Sequence, residues 1–249
     1  MDTRNLLFLT AGLFLGFSIG FILANSVSTR GRIEGASAQT ANSNSQGVAS
    51  TSSTNNSGQQ LSEKEIREAI QTTDARAGDI DLQKRFGLAL YAYTNQTRDP
   101  RYLPDAARFL KRAVEADPGD RNTVVSLGNA LFDLGQLGDA NRFKEARVYY
   151  EKALEMNPND VNVRTDLGLT YYFGTPSDPQ SAIREYRKSL LIDPRHEQTL
   201  QNLATALVKA GNQREAQKTI EQLRSVNPQN PALPDLEALL AQSSIKTRE

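Results

Sequence analysis

Apolar residues recur along this chain at helical spacing, in segments that each stop just before a proline. The segment "YYEKALEMNP" places an aromatic residue and then an Ala-Leu pair one turn later, before Pro158. Similar segments precede Pro118, Pro194 and Pro228. Proline lacks a backbone N–H and clashes with the preceding turn, so a helix usually ends at or before the residue that precedes it. The pattern therefore predicts four helices that end before these prolines.

The spacing of the four prolines, at 40, 36 and 34 residues, is typical of a helical repeat. Each helix carries a small, a large and a further residue at twelve, eight and five positions before its proline. These are Ala106, Leu110 and Ala113; Ala146, Tyr150 and Ala153; Ala182, Tyr186 and Ser189; and Ala216, Ile220 and Leu223. An earlier helix in each unit carries Phe86-Gly87, Leu127-Gly128, Leu167-Gly168 or Leu203-Ala204. Each unit is therefore predicted to be a hairpin of a helix A and a helix B.

The stretches "SLGNALF…EARVYYEKALEMNP" and "DLGLTYYFG…SAIREYRKSLLIDP" resemble the tetratricopeptide repeat (TPR) family, whose pattern is large-Leu-Gly-x-x-Tyr, Ala, Phe, Ala, Pro. The family's aromatic residue near the start of helix A, often Trp, is missing throughout. The resemblance implies an all-α, right-handed superhelical solenoid of about four TPR helix hairpins over residues 81–230. In this family helix A chiefly lines a concave groove that holds extended peptides or helices.

Both ends of the repeat array are predicted to carry capping helices. Ser62 and Glu65 form a capping-box pattern that opens a helix within residues 61–80. In residues 231–249, Pro234 can occupy the first turn of a C-terminal capping helix that is followed by a tail. Such helices cover the exposed faces of terminal repeats.

The connection between helix A and helix B is longer than the family standard in three units. The extra residues fall near 98–104, 135–141 and 175–179. They are interpreted as surface loops, which cost little free energy, or as contacts for a partner along one edge of the solenoid.

If the resemblance carries over by position, the groove has a mixed surface of aromatic, amide and charged side chains. Its predicted residues are Lys84, Leu88 and Tyr91; Val125, Asn129, Phe132 and Asp133; Thr165, Leu169, Tyr172 and Phe173; and Gln201, Thr205, Val208 and Lys209. Such a mixture suits a protein or peptide ligand. For Tyr172 and Phe173 the alternative is packing against the next repeat.

One subgroup of the family clamps a C-terminal carboxylate with Lys and Asn at set places in helix A. Here Lys84 has Leu88 where Asn is needed, and Asn129 has Val125 where Lys is needed. Asn202 alone does not rebuild the clamp. No chaperone-tail clamp is therefore predicted.

Residues 1–24 are predicted to form an uncleaved transmembrane or signal-anchor helix. The segment from Leu6 to Ala24 is uncharged and spans about 28 Å as a helix, close to the thickness of a bilayer. The alternative is a cleaved signal peptide, with small-residue sites at Ala24-Asn25-Ser26 and Ala36-Ser37-Ala38. Only a few residues precede the apolar run, which favours a single-pass protein of the bacterial inner membrane with its TPR domain in the periplasm.

Gly12, Gly16 and Gly20 lie at four-residue steps on one face of this segment and would let a second helix approach, giving a homodimer. Glycine is also common in membrane helices in general. Residues 25–60 are rich in Ser, Thr and Asn and are predicted to be a disordered linker, because they hold too little apolar surface to offset the entropy of ordering.

Charge and composition argue against several function classes. The formal net charge is zero, which gives no footprint for nucleic acid. The chain has no cysteine, and its one histidine, His196, has no paired nucleophile or metal-ligand companion in the sequence. No glycine-rich phosphate loop follows a strand. We therefore predict no enzymatic activity and no cofactor.

Together these features predict a membrane-anchored TPR scaffold or adaptor that binds a protein or peptide in its groove. One alternative is an envelope assembly factor, similar to the anchored repeat subunits of cytochrome c maturation that hold an unfolded client. Another is a periplasmic TPR protein that is released after signal cleavage.

Overall fold

The computed structural model describes residues 62–246, which form ten α-helices and one 3-10 helix, with no strand in that range. The α-helices are α1 Glu63–Asp74, α2 Ile80–Thr97, α3 Leu103–Ala116, α4 Arg121–Gln136, α5 Asn141–Met156, α6 Val161–Phe173, α7 Pro179–Ile192, α8 Glu197–Lys209, α9 Gln213–Val226 and α10 Leu233–Lys246. The 3-10 helix Pro100–Tyr102 precedes α3. The predicted all-α class is confirmed for this part of the chain.

The N-terminal predictions, a membrane helix in residues 1–24 and a linker in residues 25–60, lie outside the described residues. Within 62–246 no helix is both long enough and apolar enough to cross a membrane.

The helices pair into four consecutive hairpins, with α2, α4, α6 and α8 as helices A and α3, α5, α7 and α9 as helices B. Each helix packs mainly against its two neighbours in sequence, which is the contact pattern of a solenoid. As predicted, every helix B ends two residues before its proline. In repeats 2 and 3 the chain then turns into an aspartate, Asp120 or Asp160, whose side chain caps the next helix A.

The helices of the central repeats touch where a glycine on helix A meets a tyrosine ring on helix B. A methyl group at Gly128 would lie 2.8 Å from Cε1 of Tyr150, and one at Gly168 would lie 2.4 Å from Cε1 of Tyr186. Both distances are too short for real contacts, so only glycine admits the ring. In the fourth repeat the equivalent positions hold Ala204 and the smaller Ile220, both fully buried in one core cluster. The predicted small-large pattern is therefore the packing rule of each hairpin.

Charged contacts join successive repeats through the same capping aspartates. Lys84 Nζ of α2 lies 2.5 Å from Oδ2 of Asp120, which precedes α4. Arg121 of α4 pairs in the same way with Asp160, which precedes α6. One aspartate therefore serves both as a helix cap and as a contact between repeats.

Terminal helices cover both ends of the array, as predicted. The capping box at the start of α1 is present, and Ile66 packs into the first core cluster. At the other end Leu236 and Leu240 of α10 join the last cluster, whereas Leu239 is 38% exposed.

The extra residues near 98–104 and 135–141, which were interpreted as surface loops or partner contacts, are accompanied by longer A helices. Helix α2 has 18 residues and α4 has 16, whereas α6 and α8 have 13 each. The insertions therefore lengthen the first two A helices, because extra turns satisfy their own backbone hydrogen bonds as a loop does not.

The glycine-tyrosine contact predicts the effect of filling it. Gly168→Ala should lower the free energy of unfolding by about 1–3 kcal/mol, because the added methyl group overlaps the ring of Tyr186. The double variant Gly168→Ala/Tyr186→Ile, which copies the fourth repeat, should recover part of that loss. Urea unfolding followed by circular dichroism measures both. Gly78→Ala, in a turn with nothing within 4 Å, is the control, and an unchanged midpoint for Gly168→Ala would contradict the packing rule.

Candidate peptide-binding groove

The faces of helices A that are turned away from helices B form one surface, called the groove below. Tyr91 of α2 donates a 2.8 Å hydrogen bond from its hydroxyl to Oδ2 of Asp133 of α4, so this surface is continuous between repeats. Most of the predicted groove residues are at least partly exposed. They are Lys84, Leu88, Tyr91, Val125, Asn129, Phe132, Asp133, Tyr172, Phe173, Gln201, Thr205 and Lys209.

Three predicted groove residues, Thr165, Leu169 and Val208, are buried, at 1%, 6% and 7% exposure, and the prediction that they line the groove is wrong. Oγ1 of Thr165 lies 3.0 Å from Oγ of Ser189 and 2.6 Å from Oγ1 of Thr199, so it joins α6, α7 and α8. Leu169 and Val208 belong to the last core cluster. In this half of the solenoid the neighbouring helices cover these positions.

The two lysines of the predicted groove are engaged inside the chain. Lys84 pairs with Asp120. Lys209 donates a 2.9 Å hydrogen bond to Oγ of Ser177, and its Nζ lies 4.3 Å from the ring centroid of Tyr172. Neither lysine points a free charge into the groove.

Aromatic rings form a rigid apolar floor between repeats 2 and 3. Phe132 meets Phe143 edge to face at 5.3 Å and Phe173 at 6.2 Å, and Tyr172 meets Phe173 at 5.0 Å. Tyr172 and Phe173 thus pack against their neighbours and stay half-buried at the surface. Mutual packing fixes the rings in place, which lowers the entropy cost of binding to them.

Two half-buried aspartates lie beside this floor. Burial raises the pKa of Asp133 to about 6, although the hydrogen bond from Tyr91 opposes the shift. Burial also raises the pKa of Asp166 to about 7, and the charges of Asp160 and Asp133 add to the effect. No side chain in residues 62–246 donates a hydrogen bond to Asp166, so its ionised form is costly.

Three buried polar side-chain atoms lack a partner within the described range, and one of them is Nε of Arg164 on α6. The Tyr150 hydroxyl passes Gly128 and donates a 2.9 Å hydrogen bond to Oδ1 of Asn129. Tyr186 occupies the equivalent place in repeat 3, where Leu169 replaces the asparagine, and its hydroxyl has no partner. The Nδ2 atom of Asn202 on α8 is likewise unpaired.

Asp166 and Asn202 were not among the predicted groove residues. Each directly precedes the Leu-Gly or Leu-Ala pair of its helix A, and the pairs were interpreted only as packing positions. A signal was available, because each lies seven residues before a predicted groove residue, Phe173 or Lys209, and residues seven apart share a helix face.

His196 has a structural role. It precedes α8, and its Nδ1 lies 2.6 Å from Oγ1 of Thr199. Burial lowers the pKa of its imidazole. In the described range no group of three or more His, Asp or Glu side chains could hold a metal ion.

The fold defines an α-solenoid of helical hairpins whose A helices carry a partly exposed groove. Models of the tetratricopeptide repeat match residues 130–160 and 177–242. These segments contain tetratricopeptide repeats, a fold that is typically non-catalytic.

Solved structures of similar shape support this assignment of the fold. YrrB, described as a TPR protein with an unusual peptide-binding site, aligns with a TM-score of 0.56 and 16% identity over 71% of this chain and 83% of YrrB. A crystal structure of MamA gives a TM-score of 0.52 and 21% identity over 66% of this chain and 87% of MamA. MamA from Desulfovibrio magneticus RS-1 gives 0.53 and 16%, over 68% and 87%. At these identities the likeness concerns the fold alone.

A curated relative is the probable biofilm formation methyltransferase WspC of Pseudomonas putida, which is 29% identical over 110 residues, or 44% of this chain. The chain spans about a quarter of the length of WspC, 26%. The match therefore carries no catalytic role over to this chain.

The groove carboxylates predict a dependence of stability on pH. Folding raises the pKa of Asp166 to about 7. At low pH the carboxyl group is protonated in both the folded and the unfolded chain, so its ionisation does not affect stability. As the pH rises the unfolded chain ionises first, and the cost to the folded chain grows until the pH exceeds about 7. Asp166→Asn should therefore raise the free energy of unfolding at pH 8 by about 1–3 kcal/mol, a figure reduced for partial exposure, and by less at pH 4.5. Urea unfolding at both pH values measures this. Glu155→Gln, at an exposed site, is the control, and a variant no more stable than the native chain at pH 8 contradicts the assignment.

Proposed function

We propose that this chain is a non-catalytic scaffold or adaptor that binds a segment of another protein in the groove. The observation that carries the proposal is the half-buried surface of the A helices, where packed aromatic rings lie beside polar atoms that have no partner in residues 62–246. Apolar area supplies affinity and unpaired hydrogen-bonding groups supply orientation, which is the usual composition of a peptide site.

The length of the groove suits a short linear segment. Packed helices lie about 8–10 Å apart, so four A helices span about 30 Å. An extended chain advances about 3.3 Å per residue, and a ligand of about eight to ten residues would cross all four repeats. We therefore propose an extended peptide segment, rather than a folded domain, as the ligand.

We further propose that residues 1–24 anchor the protein in a bacterial inner membrane, with the repeats on the periplasmic side. The support lies in the sequence, where the segment from Leu6 to Ala24 is uncharged and long enough to span a bilayer as a helix. Residues 25–60, as a flexible tether of about 36 residues, would give a reach of about 30–36 Å. Such a tether raises the effective concentration of membrane-associated partners. The glycine face of Gly12, Gly16 and Gly20 would pair two such helices.

Crosslinking from a matched pair of valines tests the groove. A photoreactive phenylalanine analogue in place of Val125, half-buried on α4, should capture a partner protein in intact cells. The same analogue in place of Val148, which is 59% exposed on α5, should capture it much less. Mass spectrometry identifies the products, and circular dichroism checks that both variants fold. Equal capture from both positions, or none from Val125, would reject the groove as the binding surface.

The proposed membrane anchor, residues 1–24, is tested on the mature protein. Its intact mass should include residues 1–24, and deletion of those residues should move the protein from the membrane fraction to the soluble fraction. A mature chain that starts at or after Ser26 would show cleavage and refute the anchor. In the same membranes Gly16→Ile should reduce crosslinked homodimer, because it fills the close face of the helix. An unchanged dimer signal would remove the pairing.

A further inference from the structure

The groove holds two carboxylates that the chain itself does not neutralise. Asp133 on α4 and Asp166 on α6 are both half-buried on the A helices, and the charge of Asp133 helps to raise the pKa of Asp166. The only hydrogen bond to either side chain within residues 62–246 comes from Tyr91, which donates to Asp133. Asp160, which also acts on Asp166, is already paired with Arg121.

Several other half-buried aspartates of the described residues have cationic partners. Asp74 at the end of α1 binds both Arg108 and Arg112 of α3. Lys84 and Lys209, the cations predicted in the groove, are engaged by Asp120 and by Tyr172 with Ser177. The two carboxylates of the groove centre therefore differ from Asp74, which has two cationic partners.

An independent observation points into the same space. The hydroxyl of Tyr186 is fully buried and unpartnered, and its ring lies on Gly168, two residues after Asp166 in α6. Tyr150, its equivalent one repeat earlier, is satisfied by Asn129. On the next helix A, Asn202 is 9% exposed and its Nδ2 donor is unused. Buried polar groups are normally hydrogen-bonded, so unpaired ones beside a groove indicate a missing partner.

The chemistry of this space selects a cation. Two carboxylates and a phenolic oxygen accept hydrogen bonds, and a guanidinium group offers five planar N–H donors to such acceptors. The ring of Tyr172 already carries Nζ of Lys209, but Phe132 and Phe173 add further aromatic surface to the floor, and a guanidinium group stacks well on such rings. The unused N–H of Asn202 fits a backbone carbonyl of the same ligand.

Resting on the peptide-binding function proposed above, we infer that the groove selects peptides with a basic side chain, arginine in preference to lysine, which enters between Asp133 and Asp166 beside the Tyr186 hydroxyl. The positive charge replaces the intramolecular cation that other buried aspartates of this fold possess.

Binding then releases protons near neutral pH. The pKa values of Asp133 and Asp166 are about 6 and about 7 in the free chain, and a bound cation lowers both. At pH 7 the carboxylates lose protons when the ligand enters, and affinity falls as the pH drops below 6. The other titratable groups that interact electrostatically with Asp133 or Asp166 are Tyr91 from α2, Tyr150 from α5 and Tyr186 from α7, together with Asp160.

A random twelve-residue peptide library displayed on phage and selected at pH 8 on the full chain provides the first test. The native chain should enrich peptides with arginine or lysine over the starting library, and Asp133→Asn/Asp166→Asn should lose that preference. Glu115→Gln/Glu155→Gln, which removes the same charge from exposed sites on α3 and α5, is the control and should retain it. Both substitutions in the groove are nearly isosteric, and circular dichroism checks their folding.

A blocking variant, Thr205→Trp, separates the two proposals, since it fills the groove on α8 away from both acids. Peptides that are lost with Thr205→Trp but show no basic preference would overturn the inference and leave the peptide-binding function standing. If no enriched peptide depends on the groove, both proposals fail.

Matched synthetic peptides then measure the charge directly. The strongest peptide and its citrulline analogue, which keeps the shape of arginine without the charge, should differ in Kd by about tenfold or more at pH 8. On Asp133→Asn/Asp166→Asn the two should differ by less than about twofold. Calorimetry at pH 7 in buffers of different ionisation enthalpy should show proton release for the arginine peptide. Equal affinities of the two peptides for the native chain, or no proton release, would overturn the inference.

Discussion

The contact between a glycine on helix A and a tyrosine ring on helix B sets the geometry of the central repeats. At Gly128 and Gly168 the ring lies directly on the helix backbone, which fixes how closely the two helices approach. Because the ring crosses helix A, its hydroxyl emerges on the side that carries the groove, where Tyr150 reaches Asn129. Tyr150, which packs the hairpin, thus also places a polar atom at the groove. Repeats 1 and 4 hold Leu110 and Ile220 at this place, so a helix B side chain places a hydroxyl in this way only in the two central repeats.

The sequence predicted the helices well because their limits depend on local chemistry. Each proline stops its own helix whatever the surroundings, and the small-large pattern is repeated four times, so chance agreement is easily separated from signal. The lengthened A helices were missed, because whether inserted residues continue a helix or form a loop depends on what the extra turns pack against.

The groove was predicted less accurately for a related reason. Exposure of a helix A position depends on how closely the next repeat approaches, and this approach changes along the array. Thr165, Leu169 and Val208 are covered where α6, α7 and α8 pack tightly, while Leu88 and Val125 stay half-exposed in the first repeats. Asp166 carries a signal in its seven-residue spacing to Phe173, but its burial and its lack of a partner require coordinates. The side chains with unsatisfied chemistry were therefore the hardest to find.

The unequal lengths of the A helices make the two ends of the solenoid different. Helix α2 has five more residues than α6 or α8, about 7 Å at 1.5 Å per residue, and α4 is intermediate. The first two repeats therefore rise above the last two as a ledge along one edge, and Tyr93, packed on Tyr102, sits in that raised part. A peptide laid across the four repeats therefore meets longer A helices at one end than at the other. Forward and reversed orientations of the same segment are consequently not equivalent on this protein.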